Sequence, residues 1–181
     1  MEKHKTCSFF GHRNTKLTKQ LEEKLKNTIE DLILNKNVLI FLFGSRSAFN
    51  DFCLSIVTKL KEKYPNIKRI GYPCKSESFA IESDKEKWIQ IYQQVHPLFV
   101  DEEYEYKTKY TANKASYYIR NQAMIDNSNY CVFYFNNDYQ PPQRKQSKNA
   151  INFYQPKSGT KLAFNYAKNN KKIIINLFER M

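Results

Sequence analysis

The chain has 181 residues, four cysteines and a formal net charge of +12 at pH 7. This length predicts one domain that buries most of its apolar surface without a metal or a disulfide. There is no C-x-x-C pair, and no apolar stretch approaches the ~20 residues of a membrane span. These features exclude a disulfide-rich secreted module and a membrane-spanning protein, so we expect a cytoplasmic protein with reduced structural thiols.

The positive charge permits binding to nucleic acid or to small anionic ligands, because a positive field concentrates polyanions. The lysines are nevertheless spread along the chain, and many fall on the polar faces of predicted helices. We therefore interpret the charge first as a general property of the surface and only second as a nucleic-acid-binding face.

The first third of the chain predicts two strands around a helix. Thr6 to Phe10 is a short strand that ends at Gly11-His12-Arg13. Apolar residues then recur at helical spacing from Leu17 to Leu32. Val38 to Phe43 is a continuous apolar run, which is typical of a strand covered on both faces in a parallel sheet, and Gly44-Ser45-Arg46-Ser47 ends it.

The middle of the chain continues the alternation of strand and helix. A helix is predicted from about Ala48 to Lys63, where Tyr64-Pro65 stops it, and Ile67 to Tyr72 predicts a third strand. Asp84 to Val95 has the pattern of a helix, and His96 to Val100 that of a short strand.

The last third predicts a helix over Asn113 to Asn127, a strand over Tyr130 to Phe135, a helix over Thr160 to Asn169 and a strand over Lys172 to Phe178. Short connections and strict alternation predict an α/β fold of the Rossmann-like kind, a three-layer sandwich around a mainly parallel central sheet. Ligands of such sheets bind at the carboxyl ends of the strands.

The segment from Asn136 to Lys157 interrupts this alternation, since it lacks periodicity over most of its length. Loops of this length inside a domain are often functional or mobile. It is interpreted first as a mobile insertion. The alternative is a lid that brings Arg144, Lys145 or Tyr154 over a ligand.

Two features together predict an anion site. Arg120 lies on a predicted helix and offers a planar fork that suits phosphate or carboxylate. Ser158-Gly159-Thr160 opens another helix, whose first N–H groups have no partners within the helix and whose dipole favours an anion. We therefore expect a phosphorylated small molecule, such as a nucleotide derivative, at the edge of the sheet.

Four motifs occur in the order found in a known superfamily. They are Phe10-Gly11-His12-Arg13, Phe43-Gly44-Ser45, Arg120-Asn121-x-x-Met124-Ile125-Asp126 and Ser158-Gly159-Thr160. In these the chain resembles the SLOG superfamily, which includes DprA-like proteins and cytokinin-activating phosphoribohydrolases, and it looks closest to the small stand-alone YpsA-like branch. The resemblance spans most of the chain and implies a Rossmann-like fold that binds a nucleotide-derived ligand.

The resemblance also implies which residues contact the ligand. The phosphate side would be shaped by Gly11, Gly44, Ser45, Ser158, Gly159 and Thr160. Positive charge would come from Arg120 and Arg46, with His12 and Arg13 beside them. Each residue also has a structural interpretation, since glycines serve turns, Ser and Thr cap helices, and a lone histidine is more often structural. Tyr117 is a further hypothesis as a nucleobase contact.

The chain departs from the phosphoribohydrolases at the catalytic glutamate. Counted from Gly159-Thr160, that position is Ala163, which puts hydrolysis by that route in doubt. We therefore expect a sensor or ligand-handling module. One alternative is a nucleotide N-glycosidic hydrolase that uses Asp51 or Asp126. The other is DprA-like binding of single-stranded nucleic acid. We expect no metal and no cofactor beyond the nucleotide-derived ligand, and a homodimer is compatible with the resemblance.

Overall fold

The computed structural model describes residues 2–13, 15–44, 47–74, 100–106, 113–145 and 153–179. Its strands are β1 (Thr6–Gly11), β2 (Ile40–Phe43), β3 (Lys68–Gly71), β4 (Glu102–Glu103), β5 (Tyr130–Tyr134), β6 (Arg144–Lys145), β7 (Phe153–Tyr154) and β8 (Ile173–Asn176). Its helices are α1 (Lys19–Lys36), α2 (Ala48–Lys63), α3 (Asn113–Asp126) and α4 (Gly159–Asn169), and one 3-10 turn, Lys3–Lys5, precedes β1.

Six strands form one parallel sheet in the order β4-β3-β2-β1-β5-β8. The chain builds outward from β1 through β2 and β3 to β4, and then returns to the other side of β1 with β5 and β8. This reversal makes a topological switch point between β1 and β5, where ligands of open α/β sheets bind. The predicted Rossmann-like α/β class with a parallel sheet is confirmed.

The helices cover both faces of the sheet and give it three layers. On one face α1 and α2 bury their leucines and other apolar side chains against Phe9, Phe41 and Val132. On the other face α3 and α4 pack on Phe10, Leu42 and other side chains of the alternate strand positions. Successive residues of a strand point to opposite faces, so the continuous apolar runs supply both cores.

Local signals define the helix ends. The hydroxyls of Thr18 and Ser47 accept from backbone N–H groups in the first turns of α1 and α2, which satisfies donors that a helix cannot pair internally. Asn37 ends α1 in the left-handed conformation at φ 53°. None of the described helices combines the length and the apolar character needed to cross a bilayer.

Several predicted boundaries differ from the structure. The helix predicted from Leu17 begins at Lys19, which leaves the Leu17 side chain 44% exposed. The predicted last strand, Lys172 to Phe178, is limited to β8, because only its central residues pair with β5. The predicted helix Asp84 to Val95 lies outside the described residues, as does nearly all of the predicted strand His96 to Val100.

Two elements were not predicted. The acidic pair of β4 carries no apolar pattern, but Asp101 just before it receives two hydrogen bonds from the Arg69 guanidinium and one from Lys61. These hydrogen bonds, led by those of Arg69, hold the pKa of Asp101 well below its ordinary value. The hairpin β6–β7 lies within the segment Asn136 to Lys157, for which no strand was predicted, and the interpretation of that segment as a mobile insertion stays a prediction.

Candidate functional site

The carboxyl edge of β1 and β2 is tightly packed at its two glycines. A Cβ on Gly11 would lie 2.5–2.6 Å from the Phe49 side chain of α2, so glycine is required there for helix packing. A Cβ on Gly44 would lie 3.1 Å from Nε of Arg120 and 3.1 Å from Sδ of Met124. Side chains of this chain thus occupy the space beside both glycines. The phosphate-binding role of the two glycines stays a prediction.

Arg120 lies over Gly44 and is almost fully buried. Its Nη2 and Nε donate to Oδ1 of Asn121 at 3.0 and 3.3 Å, and Nη1 lies 3.4 Å from Sγ of Cys74. Its guanidinium carbon stands 5.2 Å from the centre of the Tyr117 ring, within cation–π range. Tyr117, suggested as a nucleobase contact, therefore packs on Arg120, and the pair places a positive charge at the carboxyl edge.

His12 follows β1 at the switch point and is 4% exposed. The backbone N–H of Asn136, which follows β5, donates to Nε2 at 3.0 Å, while the Asn136 carbonyl oxygen lies 3.2 Å from the same nitrogen. The Tyr139 ring packs on the imidazole with centroids 4.0 Å apart. Within the described part of the chain, Nδ1 is buried and has no hydrogen-bond partner.

These contacts define the protonation of His12. Burial lowers its pKa below the ordinary value, against the opposing effect of the Asn136 backbone hydrogen bond, so the ring is neutral at pH 7. The neutral ring has two tautomers here: with its proton on Nδ1, Nε2 accepts from the Asn136 N–H, and with its proton on Nε2, the ring donates to the Asn136 carbonyl oxygen. In either tautomer Nδ1 is a buried polar atom without a partner among the described residues, which costs roughly 1–3 kcal/mol, so it is suited to a polar atom from outside the chain.

The N-terminus of α4 lies beside His12. The Thr160 hydroxyl donates to the carbonyl oxygen of Gly11 at 2.8 Å, which ties the first turn of α4 to the end of β1. The Ser158 hydroxyl accepts from the Lys161 N–H at 3.3 Å and caps the helix. A Cβ on Gly159 would meet nothing within 4 Å. The helix start is therefore ordered by its own side chains, and the Cβ position of Gly159 is open among the described residues.

The residues predicted to bind the ligand thus fall into groups by their location in the fold. His12, Gly11, Ser158, Gly159 and Thr160 come together at the switch point. Gly44 and Arg120 form a second contact at the end of the neighbouring strand, β2. Arg13 is exposed directly after His12. Ser45 and Arg46 lie outside the described residues, so their predicted contacts stay predictions.

Two asparagine side chains at this edge were not predicted. The last register pair of β1 with β2 is Ser8 with Leu42, beyond which the backbone ladder stops. There Asn50 of α2 donates to the Phe9 carbonyl and accepts from the Gly44 N–H, both at 3.2 Å. Asn176 similarly binds both the N–H and the carbonyl of Phe135 at 3.0 Å. Nothing local in the sequence marks these amides, because their partners are distant in the chain.

The residues considered for catalysis lie at different places in the fold. Ala163, at the position of the phosphoribohydrolase glutamate, is buried on the face of α4 that packs on the core. Asp126 ends α3 at the opposite edge of the sheet, where the Tyr166 hydroxyl lies 3.1 and 3.2 Å from its two oxygens. Asp51 lies in the first turn of α2 at the carboxyl edge and is half-buried. Of the two aspartates proposed for hydrolysis, only Asp51 lies on the side of the site.

The fold has relatives among solved structures, although no protein-family model and no curated protein matches the chain. It is similar to DNA processing protein A (DprA) from Streptococcus pneumoniae, with a TM-score of 0.56 and 13% identity over 97% of this chain and 51% of that one. It is also similar to DprA from Helicobacter pylori, in a structure described for its single-stranded DNA binding mode. That match has a TM-score of 0.56 and 17% identity over 99% of this chain and 68% of that one.

The chain therefore spans about half the length of the Streptococcus pneumoniae protein. At these identities the likeness shows that the fold is DprA-like, and the chemistry of the site has to be argued from this chain's own residues.

Proposed function

We propose that the protein binds a nucleotide or nucleotide-derived ligand at the switch point between β1 and β5, as a sensor or ligand-handling module. The observation that carries the proposal is the buried Nδ1 of His12, which has no hydrogen-bond partner among the described residues, beside the first turn of α4. In the tautomer with its proton on Nδ1, a phosphate oxygen at this point would accept from Nδ1–H and from the first N–H groups of α4, where the helix dipole also favours negative charge.

Arg120 supports the same proposal from the neighbouring strand end. A guanidinium in a buried site acts over a longer range than one in water, because the surrounding dielectric is low. It therefore raises the positive potential at the carboxyl edge even where the ligand does not touch it. Membership of the YpsA-like branch is part of the proposal, and it is supported by the order of the four sequence motifs.

Calorimetric titration and thermal shift test the site with nucleoside monophosphates, cyclic nucleotides, ADP-ribose and NAD. A ligand at a hundredfold excess over its Kd should stabilise the fold by about 2.7 kcal/mol. The informative variant is His12→Gln, whose amide can still accept from Asn136 but has no donor at the Nδ1 position. We expect it to fold and to bind about tenfold more weakly, the loss of one buried hydrogen bond.

The control is His4→Gln, because His4 is an exposed histidine in the turn before β1. It should bind like the wild type. A wild-type protein that binds none of these compounds would contradict the proposal, and equal affinity in His12→Gln would remove His12 from the site.

A second candidate function is the binding of single-stranded nucleic acid, which the DprA-like fold and the charge distribution both support. Among the described residues, the cations near β3 and β4 are held in ion pairs, as with Arg69 and Lys61 on Asp101 and Lys68 on Glu102. Arg13, Lys157 and Lys161 at the carboxyl edge are exposed and have no ion pair within the described ranges. Binding that weakens steeply with salt would be its signature.

A further inference from the structure

The hairpin β6–β7 pairs basic residues with aromatic residues in its register. Its register pairs Arg144 with Tyr154 and Lys145 with Phe153. Arg144 is exposed, the Phe153 residue is 58% exposed and Tyr154 is half-buried. Two-residue strands make a marginal hairpin in water, and large exposed aromatic surface is typical of binding sites. The hairpin therefore has the composition of a contact surface.

The ends of the segment that carries the hairpin are fixed at the switch point. At the first end Asn136 bonds to His12, and Tyr139 packs on the same imidazole. At the second end the segment runs into α4, where Thr160 bonds to Gly11. The hairpin is thus connected on both sides to the end of β1, although among the described strands β6 and β7 pair only with each other.

The surface around these ends is basic. Lys157 and Lys161 flank the Ser158 cap, Arg13 follows His12, and Arg144 lies on the hairpin itself. All four are exposed, and none has an ion pair with another residue that the structure describes. Asp138, also exposed, is the acidic residue between β5 and β6. Four cations on three segments suit several phosphates of one polymer better than the phosphates of one nucleotide.

We propose that the hairpin β6–β7 and the basic residues at its base form the single-strand contact surface, with Phe153 stacking on an unpaired base and Arg144 on a phosphate. Aromatic stacking needs bases that are not in a duplex, and it tolerates any sequence because every base has a π face. The proposal rests on the second function above, and it assigns that function to the hairpin β6–β7.

Fluorescence anisotropy with a labelled oligothymidine, titrated at several salt concentrations, tests the assignment. The wild-type protein should bind, with an affinity that falls steeply as salt rises. Arg144→Ala should reduce the slope of log affinity against log salt by about 0.7, the value for one phosphate contact on a single strand. Phe153→Leu should weaken binding about tenfold at every salt concentration and leave that slope unchanged.

Two matched variants control for charge and for aromatic content. Lys36→Ala removes one exposed cation from the last turn of α1, at the opposite edge of the sheet. Tyr118→Leu removes an aromatic that is 38% exposed on α3. Both should bind like the wild type.

The outcomes separate the hairpin from the function. No binding at low salt would overturn both proposals. If Arg144→Ala and Phe153→Leu bind like the wild type, the role proposed for the hairpin is wrong, and the proposal of single-strand binding stands. A loss in Lys36→Ala equal to that in Arg144→Ala would show that net charge alone carries the affinity, which also overturns the hairpin.

Discussion

At the scale of single residues, two glycines that the motifs predict to bind phosphate, Gly11 and Gly159, differ in their surroundings. Gly11 has Phe49 atoms at 2.5–2.6 Å from the position of a Cβ, whereas Gly159 has nothing within 4 Å. The first is fixed by the contact between α2 and β1. The second tolerates a side chain, because it opens a helix at an ordinary backbone conformation.

We expect Gly11→Ala to lower the stability of the fold and Gly159→Ala not to lower it. The first should lower the free energy of unfolding by about 1–3 kcal/mol, the usual cost of overpacking a core. The second should leave it unchanged or raise it by up to about 1 kcal/mol, because alanine favours helix more than glycine does. Urea unfolding of both variants measures the difference. A Gly11→Ala protein as stable as the wild type would mean that Phe49 can move aside.

His12 predicts a pH dependence of stability whose sign follows from its lowered pKa. The unfolded chain protonates this histidine near pH 6.5, while the folded chain resists protonation. The stability is therefore fully present above pH 6.5 and falls as the pH drops through 6.5 toward the folded pKa. The fall amounts to about 1.4 kcal/mol for each unit by which the pKa is lowered.

The measurement is the free energy of unfolding at pH 8 and at pH 5 for the wild type and two variants. His12→Gln should lose the His12 part of the pH dependence, and His4→Gln should retain it. If the wild type and His12→Gln lose equal stability on acidification, the imidazole is not held neutral by burial.

At the scale of elements, amide side chains extend the sheet where its backbone ladder ends. Asn50 bridges β1 and β2 beyond their last register pair, and Asn176 holds the residue after β5. The carboxyl edge is thus kept in shape by side chains from α2 and β8. These hydrogen bonds hold the site residues between these strands in fixed positions before a ligand binds.

Asn50→Leu tests this role because it keeps the volume and removes both hydrogen bonds. The Gly44 N–H and the Phe9 carbonyl would lose their partners, which should lower the free energy of unfolding by about 2–4 kcal/mol. Asn35→Leu is the control, since the Asn35 side chain is exposed on α1 and its amide donates to Asp31. If both variants lose a similar amount of free energy of unfolding, the two hydrogen bonds of Asn50 contribute little to stability.

At the scale of the whole molecule, the sequence predicts what local patterns encode. The bounds of α2 agree with the prediction, because a serine caps its start and Tyr64-Pro65 follows its end. The parallel sheet follows from continuous apolar runs joined through helices. The strand β4 and the amide of Asn50 were missed, because both depend on partners that only the folded chain brings together. The motifs predicted that the candidate residues follow strands or open helices, but they did not predict the contacts of Gly11 and Gly44, and the ligand-binding role of these residues stays a prediction.

The reactivity of the four cysteines reports on the opening of the whole fold. Cys7, Cys53, Cys74 and Cys131 form no disulfide with one another and are fully buried. Burial raises the pKa of Cys7 and Cys53 well above the ordinary value, and that of Cys131 to about 11. Because the thiolate is the reactive form, these thiols should react only when the protein opens.

We therefore expect a thiol-specific reagent to modify no cysteine quickly in the native protein and all four after denaturation. The native reaction should proceed at a rate set by opening, and the rate should rise with urea as the free energy of unfolding falls. Leu34→Cys is the control, because Leu34 is 64% exposed on α1 and should add one thiol that reacts at once. A native cysteine that reacts as fast as this added thiol would reveal a local opening, and its position would identify the part of the core that opens without global unfolding.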